Sequence, residues 1–193
     1  MMRLLLLFVA LGSLSGCIIF DKKSETTTFL QFKSPATEAQ KLEPAIYVVR
    51  PNLPSALRRP NIIMLTPEGE AVIDDAHRWT APLERLMAEA VANHLTKLTG
   101  QATTLQTPEK SFVTLIIDVD HFELIPPKKA VLILHYHFEQ VDGTSIAGGQ
   151  GTWIEPMHEL SAREFVDAQS QNLTKASAAI AKTFQNLPVP SSK

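Results

Sequence analysis

Phe112-Val113-Thr114-Leu115-Ile116-Ile117-Asp118-Val119-Asp120-His121-Phe122-Glu123-Leu124-Ile125 is followed by Pro126-Pro127-Lys128-Lys129 and then by Ala130 to Val141. Val113, Leu115, Ile117 and Val119 alternate with more polar neighbours and fall on one face of a strand. On the second segment Leu132, Leu134, Tyr136 and Phe138 do the same. A four-residue connection at 126–129 folds the two into an antiparallel hairpin with both apolar faces on one side. The Asp142-Gly143 turn then leads into a third strand from Ser145 to Glu155. Half of that sheet needs a cover.

Two helices supply it. Leu83, Leu86, Met87, Ala90, Val91, Leu95 and Leu98 follow three-four spacing, with Thr80 as the expected cap and Gly100 as the stop. Ser161-Ala162-Arg163-Glu164 reads as a capping box, and Phe165, Val166, Leu173, Ala176, Ile180 and Phe184 continue one stripe. Upstream, Thr28 to Phe32, Ala45 to Val49 and Ile62 to Leu65 read as strands, with Ala71 to Ile73 returning across Pro67-Glu68-Gly69. The order of strands, helix, strands, helix predicts an α+β fold: a two-layer sandwich, mainly antiparallel, with two helices packed on one face.

The chain of 193 residues carries 45% apolar and 20% charged side chains, a balance suited to a folded domain. With 18 Lys+Arg against 20 Asp+Glu it lacks the basic excess of a nucleic-acid binder. A single cysteine excludes a disulfide framework and zinc-finger spacing.

That cysteine ends a distinctive N-terminus. Met1-Met2-Arg3 precedes the apolar run Leu4 to Leu11, and Gly12-Ser13-Leu14-Ser15-Gly16-Cys17 follows. A basic start, a short apolar stretch and small residues before a cleavage point describe a secretory signal. Leu14-Ser15-Gly16-Cys17 resembles the lipobox of bacterial lipoproteins, which implies a diacylglyceryl group on Cys17 and cleavage before it. The alternatives are a short membrane anchor over Leu4 to Phe20, at the low edge of a span, and an ordinary secretory signal. In the lipoprotein sorting pattern Asp after the cysteine retains a protein at the inner membrane; Ile18 here implies the outer membrane. The expected organisation is a signal peptide over 1–16, a lipidated tether over 17–27, one domain over 28–187 and a tail over 188–193.

The chemistry-bearing side chains are sparse. Asp118, Asp120, His135, His137 and Glu139 fall on the hairpin face opposite the core. They have the residue types of a metal cluster, but an open sheet face favours cross-strand pairing or a subunit contact. His94 lies on the apolar line of the first helix, where a structural role is expected. Ala147-Gly148-Gly149-Gln150-Gly151 lies inside a strand and marks a bulge or a close approach, not a phosphate cradle. No nucleophile-base arrangement is visible, so no enzyme activity, cofactor or metal is expected. Trp79 is expected to anchor packing at the start of the first helix. The basic pair Arg58-Arg59 and Trp153, placed on the outward face of the third strand, are the candidate interface residues.

Ala45-Ile46-Tyr47-Val48-Val49-Arg50-Pro51-Asn52-Leu53-Pro54, then Leu57-Arg58-Arg59-Pro60-Asn61-Ile62-Ile63, and His77-Arg78-Trp79-Thr80-Ala81-Pro82-Leu83 resemble the ABC-type transport auxiliary lipoprotein family. The shared pattern is strand, Leu-Pro, a short basic loop with Pro and a second strand, then Arg-Trp-x-x-Pro-Leu at a helix start. The first strand departs from it, with Phe29-Leu30-Gln31 where the family has Tyr-x-Leu. The resemblance implies a non-catalytic periplasmic subunit, lipid-anchored at the outer membrane. It would work with an inner-membrane protein carrying MCE domains, self-associate, with a ring as one form, and meet phospholipid. A stand-alone lipid or small-ligand binder is the alternative, and it requires an apolar cavity between sheet and helices.

Overall fold

The computed structural model describes residues 26–36, 42–65, 70–109 and 111–187. Eight strands form one mixed sheet: β1 (Thr28–Leu30), β2 (Leu42–Val48), β3 (Asn61–Leu65), β4 (Ala71–Trp79), β5 (Gln101–Thr104), β6 (Phe112–Ile125), β7 (Lys129–Glu139) and β8 (Ser145–Pro156). Two helices, α1 (Leu83–Thr99) and α2 (Ala162–Gln185), pack on it, giving the expected α+β sandwich. Cys17, the tether and the tail from 188 onward lie outside the described residues.

The long strand β6 organises the sheet. One of its edges is taken by β7, antiparallel from Thr114↔Glu139 to Ile125↔Lys129. The other is divided: β2 runs parallel to its start, from Ala45↔Phe112 to Val48↔Leu115, and β3 meets its end at Leu65↔Glu123. From β2 the sheet continues to β5, and from β3 to β4 and β1. The antiparallel registers are long, but four of the neighbours are parallel: β1–β4, β2–β5, β2–β6 and β3–β6.

A bulge changes the phase of β6 midway. Val119 opposes Leu134, yet His121 opposes Ile133, so Asp120 is the extra residue. Before it the odd positions Val113 to Val119 are buried; after it Phe122 and Leu124 turn inward instead. That switch lets one strand feed two parts of the core. Phe122 meets Phe165 of α2 edge-on at 5.4 Å between centroids, and Trp79 meets Phe32 at 5.1 Å. Such pairs contribute about 0.5–1.5 kcal/mol each beyond their buried area.

Trp79 is the packing anchor expected of it, but from a different element: it closes β4 instead of opening α1. The helix starts later than the Thr80 reading because Pro82 steers the residue before it away from helical geometry. Pro82 takes the cap position, and its carbonyl accepts from the N–H groups of Arg85 and Leu86. Thr80 instead donates its N–H to the carbonyl of Leu30, tying the end of β4 to β1. At the far end Gly100 adopts φ +73° and stops the helix as expected, while Leu98 is exposed. In α2 the Ser161 hydroxyl accepts from the Glu164 N–H at 3.3 Å, but Glu164 reaches back to the N–H of His158 and not to Ser161.

Candidate functional site

The basic loop is built by prolines. Pro54 precedes a single 3-10 turn over Ser55–Leu57, Leu57 is buried under it, and Arg58 and Arg59 stand exposed before Pro60. The Pro60 carbonyl accepts from the Trp79 N–H at 2.8 Å, which brings the loop against the entry to α1. Together Arg58, Arg59 and Pro60 face Pro82, Leu83 and Glu84 across a shallow pocket of about 370 Å³ floored by Trp79. Two segments far apart in sequence form one surface feature with two exposed guanidinium groups.

Trp153 is not part of it, and it does not point outward. Directly opposed residues of an antiparallel pair share a face, and Trp153 opposes Leu132, a fully buried core residue. The indole is partly buried against the core on the side of α2. The same register explains the glycines. A Cβ on Gly149 would lie 2.8 Å from the Tyr136 hydroxyl oxygen, and one on Gly151 would lie 2.5 Å from the Trp153 ring. The glycines are a close approach of rings to backbone, whereas the irregularity of this strand pair lies between Phe138 and Glu139.

The hairpin's outer face carries one cross-strand cluster of the expected kind, at His135, and two pairs that each lie within a single strand. His135 sits 3.2 Å from an Asp120 oxygen and 3.4 Å from Asp118, whose other oxygen accepts from Asn52 at 2.6 Å. His137 pairs with Glu139 at 3.0 Å and His121 with Glu123 at 2.7 Å. Among the described residues no group of three or more His, Cys, Asp or Glu is placed to hold a metal ion. His94 is buried between the helices, with Nε2 3.3 Å from the Thr174 hydroxyl. Burial is the chief cause that lowers its pKa, and Lys97 adds to it.

The feature that residue-by-residue reading misses is a half-open cavity of about 600 Å³ at one end of the sandwich. Phe112 and Val113 of β6, Val141 and Ile146 flanking the β7–β8 turn, and Phe184 and Leu187 at the end of α2 form its apolar lining. Glu43, Thr99, Gln101, Ser111, Gln140, Asp142 and Gln185 supply its polar lining. Val141 is 71% exposed, so apolar surface continues out of the mouth. The only sequence signal is a pair of apolar residues either side of the Asp142-Gly143 turn.

The fold resembles two crystal structures at low identity. One is of an uncharacterized protein, 17% identical, with a TM-score of 0.71 and coverage of 83% of this chain and 99% of that one. The other is protein XCC0632 from Xanthomonas campestris, 18% identical, with a TM-score of 0.64 and coverage of 82% and 97%. A PelC dodecamer from Paraburkholderia phytofirmans is a more distant likeness, 12% identical over 80% and 95% of the two chains at a TM-score of 0.47. Among curated proteins none matches the chain. Among the described residues no helix is long and apolar enough to cross a membrane. Residues 30–181 match the family model described as "ABC-type transport auxiliary lipoprotein component", a family of transport components. The chain belongs to the ABC-type transport auxiliary lipoprotein family.

Proposed function

We propose that this chain is the outer-membrane-anchored subunit of an MCE-type system that moves lipid between the envelope membranes. One observation carries the reading: a transport-auxiliary family match over 30–181 on a chain whose sequence begins with a lipobox-like Leu14-Ser15-Gly16-Cys17. In this reading lipid on Cys17 fixes the domain at the periplasmic face of the outer membrane. Buried acyl methylenes contribute about 0.8 kcal/mol each, and more than one chain holds a protein stably. The tether over 17–27 then gives the domain a reach set by about 3.3–3.6 Å per residue.

Arg58 and Arg59 are the docking side chains for the MCE-domain protein, since both are exposed and line a pocket beside the buried Trp79. Self-association uses β8. Among the described residues this strand pairs only with β7, and its Gly-rich stretch lacks the Lys or Pro that blunt an edge. Trp153 then lies in the interface strand, bracing it from within. Recovery of an MCE-domain protein with the full chain from detergent-solubilised envelope is the expected result. A chain that reaches the membrane and never brings one down overturns the reading. The second reading, a stand-alone lipid binder, is favoured by the apolar cavity and predicts bound lipid with no partner.

A further inference from the structure

We propose that the cavity at the end of the sandwich holds one hydrocarbon chain of a phospholipid whose head group carries an ammonium, seated beside Asp142. The inference rests on the envelope-lipid reading above and names what the domain itself binds.

The size suits an acyl chain. A methylene occupies about the volume of a water molecule, ~30 Å³, so about 600 Å³ is room enough for an acyl chain. The lining sets the chemistry. Phe112, Val113, Ile146, Phe184 and Leu187 offer water few hydrogen-bonding partners, so water filling the space is poorly held and easily displaced by hydrocarbon. The volume also lies within the range of small-ligand sites, and the exposed Asp142 stands where a head group would emerge.

The mouth selects the head. Both helices end at this end of the sandwich, at Thr99 and Gln185, and the partial negative charge of a helix C-terminus favours cations. Asp142 adds a full charge. Its carboxylate accepts from the Thr144 N–H at 2.9 Å within the turn, and that hydrogen bond is the chief cause holding its pKa below the usual value. A head group with an added anion meets no cationic side chain in this lining, whereas a phosphoethanolamine head places its amine against Asp142. Val141, exposed at the rim, would contact the chain where it leaves the cavity.

The full chain expressed in a Gram-negative envelope with p-benzoylphenylalanine at Ile146 tests this. Cells grown in [32P]phosphate are irradiated and the purified protein is read for label, with the same residue at Gln150 as control. Gln150 lies on the same strand but opposes His135 on the outer face. Expected is label at Ile146 at least tenfold above Gln150, an adduct mass matching phosphatidylethanolamine, and a fall of tenfold in the Val141→Asp background. Equal label at both positions, or none at Ile146 in protein that fractionates with membranes, overturns the inference. So does a cross-link to the chain's own lipidated N-terminus, which carries no phosphorus, or one to another protein. An adduct of phosphatidylglycerol overturns the head-group assignment. A cross-linking probe at Val141 repeats the measurement should the Ile146 variant fold poorly. Labelling does not require the MCE partner, so loss of the docking reading and loss of this one are separate results.

Discussion

The indole of Trp153 lies over Gly151, its neighbour two residues back on the same face of β8, so closely that an added Cβ would come within 2.5 Å of the ring. Tyr136 treats Gly149 in the same way from the adjacent strand, while its hydroxyl pairs with that of Thr183 on α2 at 2.7 Å. Two rings therefore fill the space that side chains on the glycines would occupy, and the Tyr136 hydroxyl ties this layer to α2. Gly151→Val forces the indole aside in a packed layer, which costs about 1–3 kcal/mol. A lower urea midpoint, with Gly151→Val partly rescued by Trp153→Leu, is the expected outcome. No change in midpoint for the single variant would show that the ring moves freely.

Glu155 ends the same strand face with a carboxylate that is nearly buried, and Lys175 of α2 reaches over it to form an ion pair. Lys175 is itself largely exposed, so solvent weakens the attraction. The asymmetry predicts the direction: removing the lysine leaves a buried carboxylate unpaired, which costs about 1–3 kcal/mol. Lys175→Ala is expected to lower the denaturation midpoint more than the double variant with Glu155→Gln. Equal losses in single and double variants would mean that the pair contributes nothing specific.

The β6–β7 hairpin was legible because alternation in Val113 to Val119 and in Leu132 to Phe138 is a local property. The bulge at Asp120 left a trace too, in the step of three between Val119 and Phe122. β5 left none: Gln101-Ala102-Thr103-Thr104 has no apolar alternation and becomes a strand only because β2 offers it an edge. The parallel neighbours were hidden for the same reason, since nothing local records which distant strand lies alongside. Arg58-Arg59 could be singled out as a basic pair, but its apposition to Trp79 and Glu84 is tertiary. The cavity draws its walls from five separate stretches between Glu43 and Leu187, so no single motif announces it.

His94 ties stability to pH. Burial lowers its folded pKa below the value of 6.5 that it has when solvated. Between the two pKa values the unfolded chain binds more protons than the folded one, so stability falls with acidity in that window. The contribution is complete above about 6.5 and is lost as pH drops through the folded pKa. Melting temperatures at pH 7.5 and 5.5 are expected to differ more for the wild type than for His94→Gln, which keeps a polar contact for Thr174 without titrating. A His94→Gln variant with an unchanged pH dependence would assign the acid sensitivity elsewhere.

Arg58 and Arg59 separate folding from docking most cleanly. Both are exposed and neither contributes to the buried core, whereas Leu57 beside them is 3% exposed and holds the loop in place. Surface substitutions away from caps and cores change stability by less than about 0.5 kcal/mol. The double reversal Arg58→Glu with Arg59→Glu is therefore expected to leave the melting temperature unmoved and membrane association through Cys17 intact. Recovery of the MCE-domain partner should fall at least tenfold, and raising the salt should weaken the wild-type association as well, because exposed charges are screened within about 10 Å at 0.1 M. Leu57→Ala provides the contrast: it removes the anchor of the same loop, lowers stability by about 2–5 kcal/mol and weakens docking only through the fold. Undiminished partner recovery with both arginines reversed would move the docking surface off this loop, and the edge of β8 that no described strand covers would be the next place to test.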